Sequence, residues 1–166
     1  MPRIGLLSDT HSYLDPKVFE HFKDCDEVWH AGDFGDGVAE QLTGFKPLRG
    51  VFGNIDGQKI RSEFPEELFF ECGGLNVLMI HIGGSPAFYY PHPKKSIEQK
   101  KPALFICGHS HILKVMQDKK HQMLYMNPGA AGKEGFHKMR TMLRFQIDGK
   151  KIEKLEVIEL GQRGIS

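Results

Sequence analysis

The sequence predicts an α/β protein of two packed sheets, and three observations carry that expectation. From Ile4 to Phe52, short apolar runs alternate with helix-like segments, the pattern of a parallel sheet with crossover helices. Beyond Leu68 the chain turns β-rich, with paired runs around Gly73-Gly74 and Asp148-Gly149 that read as hairpins. Finally, five polar clusters each follow an apolar run directly: Asp9-Thr10-His11, Gly32-Asp33, Gly53-Asn54-Ile55-Asp56, His81 and Gly108-His109-Ser110-His111. The C-terminal ends of parallel strands share one sheet edge, so residues distant in sequence converge there.

Each element has a local reason. Ile4 to Leu7 is short and apolar, as a buried strand is. Asp15-Pro16 supplies an N-cap and a proline at the first helical position, and Val18, Phe19 and Phe22 follow at helical spacing. Glu27 to Ala31 is the second strand, Asp36 is placed to cap a helix through about Leu42, and Leu48 to Phe52 is the third strand. Leu68–Cys72 and Asn76–Ile80 form the hairpin that delivers His81. Gly83 to Pro93 is rich in glycine, proline and aromatic residues and reads as an irregular loop. Ser96 with Gln99 three positions on resembles a capping box opening a short helix. Ala103–Cys107, Leu113–Gln117, Met123–Met126, Thr141–Ile147 and Ile152–Leu160 complete the strands. The helices are expected on the outer face of one of the two sheets.

A chain of 166 residues, 40% hydrophobic and 26% charged, is expected to form a single domain over residues 1–166 that folds without staples. A net charge of +1 provides no field for steering polyanions, so charge does not indicate nucleic acid as a partner. Cys25, Cys72 and Cys107 are odd in number and none sits in a CxxC pair, which argues against a disulfide framework and a structural zinc site. The apolar run before Asp9 has only four residues, too few for a secretory signal, and no stretch approaches a membrane span. A cytoplasmic protein without a membrane partner is expected, with a homo-oligomer left open.

The converging side chains are metal ligands by type. Asp9 and His11 stand two positions apart, so in an extended segment they point the same way and can share a cation. His109 and His111 repeat that arrangement, Asp33 is a lone carboxylate suited to bridge the two pairs, and Asn54 adds a neutral oxygen. Mixed nitrogen and oxygen donors without thiolate suit manganese, iron, zinc, nickel or cobalt over calcium. Two divalent transition-metal ions are expected, manganese first among them. Their charge exceeds that of Asp9 and Asp33, so the site attracts a phosphate oxygen. A hydroxide bridging the two ions then attacks phosphorus in line, and no side-chain nucleophile is required.

These clusters, in this order, resemble those of the calcineurin-like metallophosphoesterases. Chain length and Asn127-Pro128-Gly129 are similar to the small bacterial and archaeal phosphodiesterases of that superfamily. The resemblance runs from about Arg3 to Leu160 and implies an α/β/β/α sandwich. It implies one metal held by Asp9, His11, Asp33 and His111, and a second by Asp33, Asn54, His81 and His109, with Asp33 bridging. Catalysis would centre on Asp33, Asn54 and His81. The implied activity is hydrolysis of a small phosphate ester, foremost a phosphodiester. The alternatives are a phosphomonoesterase or nuclease of the same fold, or a non-catalytic scaffold like one eukaryotic sorting-complex subunit. Two departures stand out. Many relatives have histidine after the Asn54 position, where this chain has Ile55, and His81-Ile82-Gly83 replaces a His-Gly-His sequence.

The remaining polar and aromatic residues divide simply. His30 is expected to support the site, while His21, His121 and His137 read as surface residues. Gly83–Pro93 follows His81 directly, which makes Tyr89, Tyr90 and His92 candidate substrate contacts that gate the site. Lys94, Lys95, Lys100 and Lys101 read as a solvated face, and Asn127 to Ala131 as a turn shaping the site edge.

Overall fold

In the computed structural model, which describes residues 1–164, strands and helices alternate through the first third of the chain. They are β1 (Arg3–Leu7), α1 (Lys17–His21), β2 (Glu27–His30), α2 (Val38–Thr43), β3 (Leu48–Gly50) and α3 (Gln58–Glu63). Next come β4 (Glu67–Cys72), β5 (Leu75–Ile80), β6 (Gly84–Ser85), β7 (Phe88–Tyr89) and α4 (Pro91–Lys100). The chain continues through β8 (Leu104–Ile106), β9 (Leu113–Asp118), β10 (Met123–Pro128), β11 (Met139–Asp148) and β12 (Lys151–Gln162).

Two five-stranded sheets result, in orders β12-β11-β1-β2-β3 and β4-β5-β8-β10-β9. β1, β2 and β3 are parallel, as are β5, β8 and β10, so both sheets send strand C-terminal ends toward loops that meet. The sheets pack face to face through Ile4, Leu6, Trp29 and Val51 on one side and Val77, Met79, Leu104 and Ile106 on the other. All eight are fully buried, which makes this layer the main apolar driving force of the fold.

Helices cover both outer faces, giving the α/β/β/α layering implied by the family resemblance and correcting the expectation of helices on one face. α1, α2 and α3 place Val18, Val38, Leu42 and Ile60 against Leu7 and Val28 of the first sheet. On the second sheet, α4 and the β6–β7 hairpin place Ile97 and Tyr89 against Leu78, Phe105 and Tyr125. Leaving that face bare would have exposed a broad apolar surface to water.

The capping signals in the sequence are realised only in part. Asp15 caps α1, its Oδ1 accepting from Lys17 N–H at 2.9 Å. Asp36 does not cap α2: Gly37 precedes that helix, and Asp36 N–H is bound instead to Ser12 Oγ at 2.8 Å. The Ser96 capping box is also absent. α4 begins at Pro91, whose ring fits the first helical position, and Ser96 lies inside it, donating to Glu67 Oε1 at 2.6 Å. Residues 83–93 are therefore not an irregular loop but a two-stranded hairpin followed by the first turn of α4. Among the described residues no helix is long and apolar enough to cross a membrane.

Candidate metal centre

The five polar clusters meet at one edge of the sandwich. Asp9 and His11 follow β1, Asp33 follows β2, Asn54 follows β3, His81 follows β5, and His109 and His111 follow β8. The backbone that presents them is not extended, contrary to the reading of the Asp9/His11 and His109/His111 pairs. Asp9 (φ 54°), His11 (46°), Asp33 (58°), His109 (70°) and His111 (63°) all occupy the left-handed region. A continued strand would aim side chains perpendicular to the sheet, into the core or out to solvent. The left-handed turns aim them off the strand ends instead. Such conformations cost energy and persist only where surrounding structure fixes them.

The fixing contacts are specific. The post-β1 and post-β2 segments stay paired, through Asp9 N–H to Gly32 O (3.0 Å), His11 N–H to Asp33 O (3.1 Å) and Ser12 N–H to Phe34 O (2.9 Å). Buried His30 accepts from Gly32 N–H at Nδ1 (3.1 Å), so its Nε2–H donates to Thr10 Oγ1 (3.0 Å), which in turn donates to Phe34 O (2.8 Å). Burial pushes the His30 pKa down to about 3, so this link stays neutral. Asp56 accepts from Phe34 N–H (3.2 Å), Gly35 N–H (3.0 Å) and Gly53 N–H (2.9 Å), clasping the Asp33 and Asn54 loops together. Asn127 Nδ2 donates to Gly108 O and Ser110 Oγ, both at 3.1 Å, and holds the His109–His111 loop. Gly32 and Gly53 allow the close approach. A Cβ on the first would collide with the His81 ring, and on the second with the Asp33 carboxylate.

Within this frame the donor atoms form two groups, Asp9–His11–His111 and Asp33–His81–His109. His111 Nε2 stands 3.2 Å from Asp9 Oδ1, and His81 Nε2 stands 3.2 Å from Asp33 Oδ2. Asp33 Oδ2 is also 3.4 Å from His11 Nε2, so one carboxylate oxygen faces both groups, while Oδ1 accepts from Ile55 N–H at 3.0 Å. Asn54 Oδ1 lies 3.0 Å from His109 Nδ1, which adds it to the second group.

The donor set passes a direct test for cations. Asp9 Oδ1, His11 Nε2 and His81 Nε2 are buried without a hydrogen-bond partner, an expensive arrangement unless something else satisfies them. Two ligands about 2.1 Å from one ion at right angles stand about 3 Å apart, which is close to the spacings observed here. His81 donates Nδ1–H to Ala31 O at 2.7 Å, leaving the Nε2 lone pair facing the site, the tautomer a metal requires. Burial alone would raise the Asp9 pKa, but His11, His111, His81 and Ser8 outweigh it and hold the carboxyl well below the usual range. The Asp9 carboxylate, 3.7 Å from Nε2, raises His11 against the opposing effect of burial. Burial also lowers His81, but Asp33 and Asp9 overcome that and leave it raised. The residues form two groups, each of which could hold a metal cation.

Three clefts open from these donors. One of about 520 Å³ is lined by Asn54, Arg61, His81, Tyr90 and His92, one of about 390 Å³ by Phe88, Tyr90, His109 and Lys114, and one of about 510 Å³ by Ile55, His111, Ile112 and Phe136. Tyr90 and His92 thus flank the site. His92 Nε2 lies 3.3 Å from Glu67 Oε1. Tyr89 does not flank it. Only 6% of Tyr89 is exposed and its hydroxyl donates to Asp118 Oδ2 at 2.6 Å, because strand alternation turns it into the core under α4. Arg61 carries no signal in the sequence, and His137 is expected there at the surface; both support the site. Arg61 Nε donates to Asp56 O at 2.6 Å, bracing the Asn54 loop. His137 is not a free surface residue: its Nε2–H donates to Gly132 O at 2.8 Å, beside the His111 ring.

Fold and donor set together define a protein of the metallophosphoesterase class. The profile of the calcineurin-like phosphoesterase superfamily domain matches residues 2–150, and the chain belongs to that metal-dependent superfamily. A probable metallophosphoesterase of Methanothermobacter thermautotrophicus is 28% identical over 95% of this chain and 92% of its own. A solved structure described as a novel archaeal phosphodiesterase superposes with a TM-score of 0.72 at 21% identity, covering 95% of this chain and 99% of that one. Vps29 of Chaetomium thermophilum superposes with a TM-score of 0.75 at 14% identity, covering 98% and 100%. At these identities the two structures speak for the fold.

Proposed function

We propose that this chain is a binuclear metal-dependent phosphodiesterase whose ligands are Asp9, His11, Asp33, Asn54, His81, His109 and His111. The observation that carries the proposal is the Asp33 carboxylate, whose Oδ2 lies 3.4 Å from His11 and 3.2 Å from His81, two imidazole nitrogens that are buried and otherwise unsatisfied. Two divalent ions there would supply the charge that binds phosphoryl oxygens and brings water toward ionisation near neutral pH.

The chain's own residues do the positioning. Asp33 bridges, with its second oxygen tied to Ile55 N–H. Asp9 is held by Ser8 Oγ (2.5 Å) and His109 N–H (3.1 Å), which leaves its Oδ1 free to face the ions. Asn54 lines two clefts, one of them together with His81, where it can orient the bound phosphate. A diester is favoured over a monoester on two grounds. Two clefts meet at Asn54 with different linings, giving each ester arm a place. Ile55 also provides no proton for a poor leaving group, so the more readily cleaved class suits this site.

The test is metal-stripped protein reloaded with manganese, with elemental analysis beside a screen of phosphodiesters, phosphomonoesters and nucleotides. Two ions per chain and preferential diester cleavage are expected, and Asp33→Asn should lose both ions and the activity. Binding of no more than one weakly held ion would defeat the binuclear reading, and faster monoester cleavage the diester one.

A further inference from the structure

We infer that the cleft walled by Ile55, Ile112 and Phe136 is a subsite for an apolar or aromatic arm of the substrate, and that these side chains set its preference. The inference rests on the phosphodiesterase reading and names the kind of ester it would act on. Ile55 is 46% exposed, Ile112 64% and Phe136 100%, yet all three surround one cleft of about 510 Å³ whose floor includes His11, Asp33, His109 and His111. This is not ordinary scatter of apolar surface. Among the described residues, six of the eleven exposed large apolar side chains line clefts that open from the proposed ligands: Ile55, Ile82, Phe88, Tyr90, Ile112 and Phe136. Clustering of that kind marks a binding surface.

Charge separates this cleft from its neighbours. Arg61 and Glu66 line the cleft beside His92, and Lys114 lines the one beside Phe88. Although Ile112 also borders the cleft holding Lys114, no lysine or arginine lines the one that Ile55 and Phe136 share. A second anionic group placed there would lose water without gaining a partner, which is costly, whereas an uncharged ring would gain by covering exposed apolar carbon.

Two of the walls, Ile55 and Ile112, are also anchored through their backbone. Ile55 N–H is tied to the Asp33 carboxylate at 3.0 Å, so this wall moves with the bridging residue and stands one position from Asn54. Ile112 N–H donates to Ser110 Oγ at 3.2 Å, and Ser110 Oγ is in turn held by Asn127 at 3.1 Å. The Phe136 loop is pinned by His137 to Gly132 O. A group esterified to a phosphate on the proposed ions therefore meets two walls that need little ordering, with the exposed Phe136 ring left to close over it. The size is right for one arm, within the roughly 300–1,000 Å³ of small-molecule sites.

Two measurements test this. On the zinc-loaded protein, isoleucine methyl NMR should show the Ile55 and Ile112 signals shifting with diphenyl phosphate and holding still with dimethyl phosphate. In kinetics, 4-nitrophenyl phosphodiesters whose second arm is phenyl, methyl or carboxyethyl should show kcat/KM at least about tenfold higher for phenyl, the scale on which apolar pockets discriminate, with carboxyethyl poorest. The phenyl-to-methyl ratio should collapse in Ile112→Ser and Phe136→Ser and survive in Val157→Ser, a remote exposed control. Unmoved methyl signals, or a ratio that survives all three substitutions, would overturn the subsite. So would a dimeric parent and a monomeric Phe136→Ser protein with the same ratio, because a second copy would then be the natural cover. Failure to cleave any diester while the methyl signals shift would instead sink the phosphodiesterase reading and leave the subsite standing.

Discussion

Removing the Asp56 carboxylate should unfasten the site without touching a proposed ligand. Asp56 is 4% exposed and accepts three backbone N–H groups, two from the loop after Asp33 and one from Gly53. A hydrogen bond to a charged group is worth about 1.5–3 kcal/mol, so three of them bound the loss at about 4.5–9 kcal/mol. Asn54 and Ile55, on the open side of the loop, are exposed, and water can reach part of what is freed. That relaxation brings the expected cost of Asp56→Ala to about 3–4 kcal/mol. Asp56→Asn keeps the shape and one acceptor oxygen but turns a donor toward a donor, and should cost about 2 kcal/mol. Loosening the loops that carry Asp33 and Asn54 should also weaken metal binding by about 10–100-fold, the usual effect of losing a support behind the ligands. Urea unfolding in chelator gives the first quantity and calorimetric metal titration the second. If both variants lost under about 1 kcal/mol and bound metal like the parent, the clasp would be incidental.

Other expectations follow from single side chains. Ile55→His places an imidazole next to Asn54, and cleavage of diesters with poor leaving groups should rise by up to about 10²–10⁴-fold while activated aryl esters change little. A uniform change across leaving groups would refute that role. Asp15 and Arg140 form a buried pair at 2.8 Å, and the Arg140 and Lys17 contacts hold the Asp15 carboxyl below its ordinary 3.8 in spite of burial, which acts to raise it. A depressed folded-state pKa stabilises above the unfolded value and is lost as pH falls. Asp15→Asn should therefore cost about 3 kcal/mol near pH 7, and that difference should shrink as the pH drops below 3.8. A parent-minus-variant difference that stayed constant on acidification would contradict this.

The site was easier to read in the sequence than the elements around it. Strand ends are marked by abrupt changes from apolar to polar residues, and parallel strands share an edge. Asp9, Asp33, Asn54, His81 and His109 therefore group together from the sequence alone. The left-handed backbone beneath Asp9 and His11 was invisible, because no residue there is glycine and nothing in composition marks φ. α3 was missed because only Ile60 of its six residues is buried, too little to make a periodic pattern. Arg61 was missed with it. The α4 start was misplaced because Ser96 and Gln99 imitate a cap, while the helix follows Pro91 and Ser96 turns to Glu67. Tyr89 and Tyr90 are adjacent and alike in sequence. Only pairing of β6 with β7 determines that one faces the core and the other the clefts.

The proposed ligands come from both sheets: Asp9, His11, Asp33 and Asn54 from the one containing β1, and His81, His109 and His111 from the one containing β5. An ion held by Asp9 and His111 thus ties residues that are 102 positions apart and belong to opposite halves of the sandwich. Such an ion acts as a rivet at the rim. With it in place, the two sheets would be held together at the edge where their loops meet, and the folded state would gain whatever affinity it has for the ion beyond that of the unfolded chain. Chelation should then release that rim first. Amides around Gly32 and Gly108 would exchange with solvent sooner than those of the Val77–Ile106 layer, and the sandwich would open like a book whose clasp has been undone.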